Sequence, residues 1–155
     1  MEHTELVATL DKLLRETYSL WDAGWVTFNW RNYTYDHVQR VRGLALTLCR
    51  AEGGDPIVTE LAALLHDITK PYDGEYIVGS DGKRLVDELG YWRNEVRLPA
   101  RTNHVTRTYD ELGLAGQLHN ESGAALADRL LAEHGVATEV RTRVAETIRH
   151  HLVPP

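Results

Sequence analysis

Six side chains of this 155-residue chain have the type and placement to ligate a metal ion: His37, the adjacent His66 and Asp67, His119, and the adjacent His150 and His151. Residues three, four or seven apart share one face of a helix. On that rule His37 heads a stripe with Val41 and Leu44, and His66 follows Ala62 and Val58. His119 leads Gly123, Leu126 and Leu130, and His151 follows Val144 and Val140. His150 lies about 100° round from His151, on a face with Glu146, so both can border one site.

One buried imidazole is met by one hydrogen bond, but four on four helices would need four separate partners. A shared cation satisfies them together, because neutral imidazole nitrogen is a common ligand of first-row metals. Asp67 ends the apolar run "LAALLHDITKP" at residues 61 to 71. An unpaired carboxylate there would cost several kcal/mol. Beside a cation it is stabilised, and its two oxygens can bridge two ions. His3 and His134 read as surface residues, and His104 in the irregular middle is the weaker candidate for a further ligand.

These residues need rigid elements to hold them, and the chain reads as mostly helical. Residues 4 to 21 carry Leu6, Leu10, Leu13, Leu14 and Leu20 at helical spacing, with Thr4 as N-cap. Trp21, Trp25, Phe28, Trp30, Tyr33 and Tyr35 gather around a glycine as a packed corner. A second helix begins at Thr34 and places His37, Val41, Leu44, Ala45 and Leu48 on one face. Asp55 and Pro56 start a third, which runs through "PIVTELAALLHDI" and stops before Pro71. Helices follow at "HNESGAALADRLLAEHG", with Gly135 as stop, and at "TEVRTRVAETIRHHL". Between residues 72 and 118 lies an irregular insertion. "EYIVGSDGKRLV" reads there as a short hairpin, "LVDELGYWRNEVRL" as a helical turn or two, and "PARTNHVTRTYDELGL" as loop with helical fragments.

Composition narrows the classes. With 43% hydrophobic and 26% charged residues the chain reads as one globular domain over 1–155. A net charge of −6 makes a nucleic-acid partner unexpected. Cys49 is the only cysteine, which excludes an internal disulfide and a thiolate zinc cluster. "MEHTEL" has no apolar signal region, and no run approaches the roughly 18 apolar residues of a membrane span. The expectation is a cytoplasmic protein with no membrane partner.

The pattern "YDHVQRV" at 35 to 41 with "ELAALLHDITK" at 60 to 70 resembles the HD superfamily of metal-dependent phosphohydrolases. His37 matches the family's first histidine, and His66 with Asp67 its His-Asp pair. Thr69 stands where many members have glycine. "HNESGA" at 119 to 124 and "RHH" at 149 to 151 are similar to the elements that supply second-metal ligands in dinuclear members. The family's last ligand, an aspartate on a later helix, has no match before Pro155. Asp128 points to the opposite side of its helix from His119, and Glu146 is left as an outer partner of His150. The HD-GYP continuation of cyclic-di-GMP phosphodiesterases is absent.

The resemblance implies an all-α HD-domain helical bundle holding one or two divalent transition-metal ions (Mn, Fe, Co, Ni or Zn). It implies hydrolysis of a small phosphate ester, nucleotides included, by water that the metal acidifies. Asp67 and Lys70 are then the catalytic residues. Lys70, one turn beyond the pair, would hold a phosphate oxygen; its plainer reading is a favourable charge at a helix C-terminus. The insertion, with Arg93, Arg97, Arg101 and Arg107, is placed to overlie the site, or else shows a solvated charged face. Two other readings stand: an HD-fold di-iron oxygenase, and an inactive domain that binds a nucleotide or partner.

Overall fold

The helix at the centre of the fold has a start that the sequence specifies twice over. Asp55 accepts hydrogen bonds from the amides of Ile57 and Val58, and Pro56 supplies a first helical residue with no amide to satisfy. In the computed structural model, which describes residues 2–21, 30–90, 93–96 and 98–152, this helix is α3 (Pro56–Leu65). Around it stand α1 (His3–Tyr18), α2 (Trp30–Glu52), α4 (His104–Glu111), α5 (His119–Glu133) and α6 (Thr138–Arg149). The fold is all-α, with one two-residue ribbon. Strands β1 (Glu75–Tyr76) and β2 (Asn94–Glu95) pair antiparallel, Glu75 opposite Glu95. No helix among the described residues is long and apolar enough to cross a membrane.

Helix α3 is mostly apolar, with Glu60 paired to Arg42 and His3 at its flank, and packs against α1, α2 and α6. Its Leu61, Leu64 and Leu65 join Leu10 and Leu14 of α1, Leu126, Leu130 and Leu131 of α5, and Ile148 of α6 in one core. These side chains are almost wholly removed from water, each a gain of about 1.5–3 kcal/mol before entropy is counted.

The α-helix closes at Leu65, earlier than the sequence pattern implies, so His66 and Asp67 sit on the turn that follows. Pro71 explains this. It has no amide to offer the Asp67 carbonyl four residues back, so the chain tightens into i to i+3 bonds. Ile68 N–H donates to Leu65, Lys70 N–H to Asp67, and a 3-10 turn runs over Lys70–Asp73. The Tyr18 hydroxyl donates to the same Asp67 carbonyl at 2.9 Å, which ties the turn to the end of α1.

Several expectations are corrected. Helix α1 starts at His3 with Glu2 as N-cap, so Thr4 lies inside it. Helix α2 begins at Trp30, before Thr34. Its predicted stripe is only partly covered: Val41 and Ala45 are half-buried, whereas Leu44 is 62% and Leu48 53% exposed. They lie on the flank of α2 turned from the buried Thr34 and Val38. Residues 85 to 90 and 93 to 96 form no helix; Leu85 and Arg93 instead extend the ribbon by hydrogen bonds with Ile77. The hairpin is closed by a bridge between Val78 and Arg84. The stretch read as loop with helical fragments contains one helix, α4, started by a capping box in which Asn103 and Thr106 bond each other's amides. Of the aromatic corner, Trp25 and Phe28 lie outside the described residues. Trp21 is buried and meets Tyr72 edge-on at 4.9 Å between centroids.

Candidate metal centre

Five of the six ligand candidates named from sequence, four histidines and Asp67, converge on one point. Asp67 is 2% exposed, and each of its oxygens faces a different pair of imidazoles. Oδ2 lies 3.4 Å from His66 Nε2 and 3.6 Å from His37 Nε2. Oδ1 lies 3.4 Å from His119 Nε2 and 3.6 Å from His151 Nε2. Two three-residue groups therefore share one carboxylate, and within each the ligand atoms lie within 4.8 Å of one another.

Three of the four imidazoles are oriented from behind. His66 Nδ1 donates to the Ala63 carbonyl at 2.8 Å, and His151 Nδ1 to the Ile148 carbonyl at 2.6 Å. His119 Nδ1 is held by the Asp73 carboxylate at 2.5 Å. With the proton on Nδ1, the neutral ring presents a bare Nε2 lone pair to the centre. That has a testing consequence. His119 and His151 bring two such nitrogens within 3.2 Å, and the His66 lone pair faces His37 Nε2 at 3.3 Å. Two bare lone pairs repel at that distance, and the buried Oδ1 of Asp67 has no hydrogen-bond partner. A divalent cation accepts all of these donors at once, so the set fits a metal ion. Nitrogen and carboxylate together suit Mn, Fe, Co, Ni or Zn.

The electrostatics agree. Burial alone would raise the Asp67 carboxyl, but the close imidazoles of His151 and His66 and the Lys70 ammonium outweigh it and hold the group ionised. Burial lowers the His37 pKa, opposed but not cancelled by Asp67, which keeps its lone pair free near neutral pH. His151 moves the other way: burial lowers it, but the Asp67 carboxylate and the bond to the Ile148 carbonyl raise it by more. Lys70 Nζ stands 3.9 Å from Asp67 Oδ1 and 3.4 Å from His119 Nε2, with about a third of its side chain in solvent.

His150 is not drawn in. It caps the exposed end of α6, facing a shallow depression with Glu146, Arg143 and Thr147, and belongs to neither ligand group. The turn after α6 aims only its neighbour inward. His104 is also remote from the cluster, bonded to Glu133 at 2.6 Å. Asp128 pairs with Arg141. Arg93, Arg101 and Arg107 are exposed, and Arg97 lies outside the described residues.

Asp73 is the residue that sequence reasoning passed over. It is three positions past Lys70, inside the 3-10 turn that Pro71 begins, and a 3.6-residue period does not place it. Asn120 was missed too; its side-chain amide donates to the Arg149 carbonyl and holds the end of α6 beside the start of α5. Carboxylates behind a ligating histidine set its orientation and basicity, and their loss typically costs 10- to 100-fold in metal affinity. Asp73→Ala is expected to weaken metal binding at the His119 and His151 group by about that factor. Metal titration followed by calorimetry measures it, and an unchanged isotherm would remove Asp73 from the site.

Thr69, standing where a glycine is usual, is accommodated by bonds of its own. Its hydroxyl donates to the His119 carbonyl at 3.1 Å and lies 2.8 Å from Ser122 Oγ, joining the turn to the first turn of α5.

No curated protein and no solved structure gives a significant match to the chain. A family model does: the HD domain matches residues 34–155, a span that holds all four converging histidines and Asp67. HD domains are typically metal-dependent hydrolases and bind divalent metals. The shared carboxylate, the converging imidazoles and that match identify the chain as a member of the HD domain family.

Proposed function

We propose that this protein is a metal-dependent phosphohydrolase acting on a small phosphate ester. The observation that carries the reading is the shared Asp67, with an imidazole pair on each of its oxygens and Lys70 beside it. His37, His66 and Asp67 would hold one ion, and Asp67, His119 and His151 a second. A bound divalent ion supplies an acidified water and screens the negative charge of the phosphoryl group.

The chain's own residues do the rest. Asp67, kept ionised at the base of the site, fixes the spacing of the two groups. The rings of His66, His119 and His151 are held by their Nδ1 bonds, so little reorganisation accompanies reaction. Lys70 has the reach and the exposure to take a nonbridging phosphate oxygen, orienting the ester for attack.

Elemental analysis of protein freed of any histidine tag, followed by a phosphomonoester screen with Mn, Fe, Co, Ni and Zn, tests this. One or two ions per chain and phosphate release that continues without oxygen are expected. Turnover that requires oxygen, or loaded protein that releases no phosphate from any ester, would overturn it.

A further inference from the structure

Beside the metal ligands, α2, α3 and α6 leave a groove of about 420 Å³. Its walls are Val41 and Ala45 of α2, Val58, Ala62 and Ala63 of α3, and Ile148 of α6. His37, His66 and His151 close its inner end, so whatever enters it abuts the ligand cluster. The only other polar lining among the described residues is Thr59 and Thr147, and the Thr147 hydroxyl is already turned back to the Arg143 carbonyl at 2.8 Å. Among the described residues no carboxylate, ammonium or guanidinium lines it. At the outer end the same flank of α2 continues as Leu44 and Leu48, which solvent reaches.

The charged part of the site lies elsewhere. Lys70 touches Asp67 and His119, and neither it nor those two residues borders the groove. The cluster therefore has a cationic side and an apolar side. A phosphate monoester has the same two ends. A sugar or a second phosphate in this groove would lose its hydration with few partners in return, whereas an alkyl chain loses nothing.

We infer that the groove between α2, α3 and α6 holds the apolar alcohol portion of the substrate, which makes the preferred substrates phosphate monoesters of apolar alcohols. This rests on the phosphohydrolase reading, with the phosphoryl group toward Lys70 and the ester oxygen toward the groove. Hydrolysis then adds water across the P–O bond, releasing inorganic phosphate at the lysine end and the alcohol at the apolar end.

Binding and turnover separate the two ideas. Calorimetry on manganese-loaded protein with n-alkylphosphonates from methyl to octyl reads the groove without needing catalysis. Each added methylene is expected to tighten binding about two- to fourfold until the groove is full. Ala45→Leu, at a half-buried position, and Thr147→Leu, at an exposed one, each put bulk into the groove with little demand on the core. Either should flatten the series. A flat series in the wild type, or a rise that both variants leave intact, overturns the inference. The matching n-alkyl phosphates are then assayed for phosphate release. Chain-length-dependent binding with no release from any of them would sink the phosphohydrolase reading and leave the groove as an apolar ligand site. Release at equal rates from methyl, glycerol and octyl esters would do the reverse.

Discussion

Asp67→Ala abolishes metal binding at both ligand groups together. The carboxylate is the only anionic donor in either, and each of its oxygens serves one pair of imidazoles. Removing an outer partner costs 10- to 100-fold in affinity, so loss of this shared ligand is expected to cost more than about a hundredfold at each group. Phosphate release should fall by about three orders of magnitude, the scale seen when a site loses a preorganised electrostatic group. The thermal shift on adding metal, worth about 2.7 kcal/mol at a concentration of one hundred times Kd, should vanish as well. His37→Ala and His119→Ala provide the contrast, because each disables one group and leaves the other with its carboxylate. Elemental analysis of the three variants reads the difference directly. If Asp67→Ala retains the metal content of the wild type, the shared-carboxylate account is wrong.

How much of this site could be read from sequence depended on which forces set each residue. His66 and Asp67 were legible because an ionisable pair after a long apolar run has no inexpensive structural explanation. His119 and His151 were legible by helical phase, which carries side chains one turn past a stripe of core residues. His150 was not, because phase assigns both neighbours to the border of a site, and only the chain's turn after Arg149 decides between them. Asp73 escaped for a related reason: the 3-10 turn that aims it at His119 has a different period from the helix before it.

The fold follows the same division. The longer helices α1, α2, α5 and α6 were foreseen from their apolar stripes, while α4, read only as a helical fragment within a loop, was blurred by its composition. Its "HVTRTYDE" buries Thr106 and Thr108, whose hydroxyls are satisfied by the carbonyls of Asn103 and His104. Two-residue strands leave no alternation to detect, so the pairing of Glu75 with Glu95 had no sequence signal. The apolar pattern of α2 predicted more core than α2 has. Its exposed Leu44 and Leu48 continue the groove's surface, so the excess of apolar residues there fits a role in binding more than in packing.

Gly123→Val is expected to damage both stability and metal binding, whereas Gly123→Ala should be nearly silent. Gly123 lies on α5 one turn after His119, where that helix meets the turn carrying His66 and Asp67. A Cβ built there would lie 3.3 Å from Thr69 Oγ1, 3.4 Å from the His66 carbonyl oxygen and 3.6 Å from Ile148 Cγ2. Alanine needs shifts of a few tenths of an ångström, and its better helix propensity of about 0.8–1.0 kcal/mol offsets them. The two further methyls of valine have no such room. The His66 carbonyl is backbone, and the Thr69 hydroxyl is held by His119 and Ser122. Overpacking of this kind costs about 1–3 kcal/mol, or roughly 2–4 °C in Tm for each kcal/mol at this chain length. The strain is relieved only by moving α5 off the turn, which carries His119 away from Asp67. Metal should therefore raise the Tm of the valine variant less than that of the alanine variant. Thermal melts of both, with and without manganese, measure the two effects separately. Equal metal-induced shifts would show that α5 can move without disturbing the ligands, and the close approach at Gly123 would then serve packing alone.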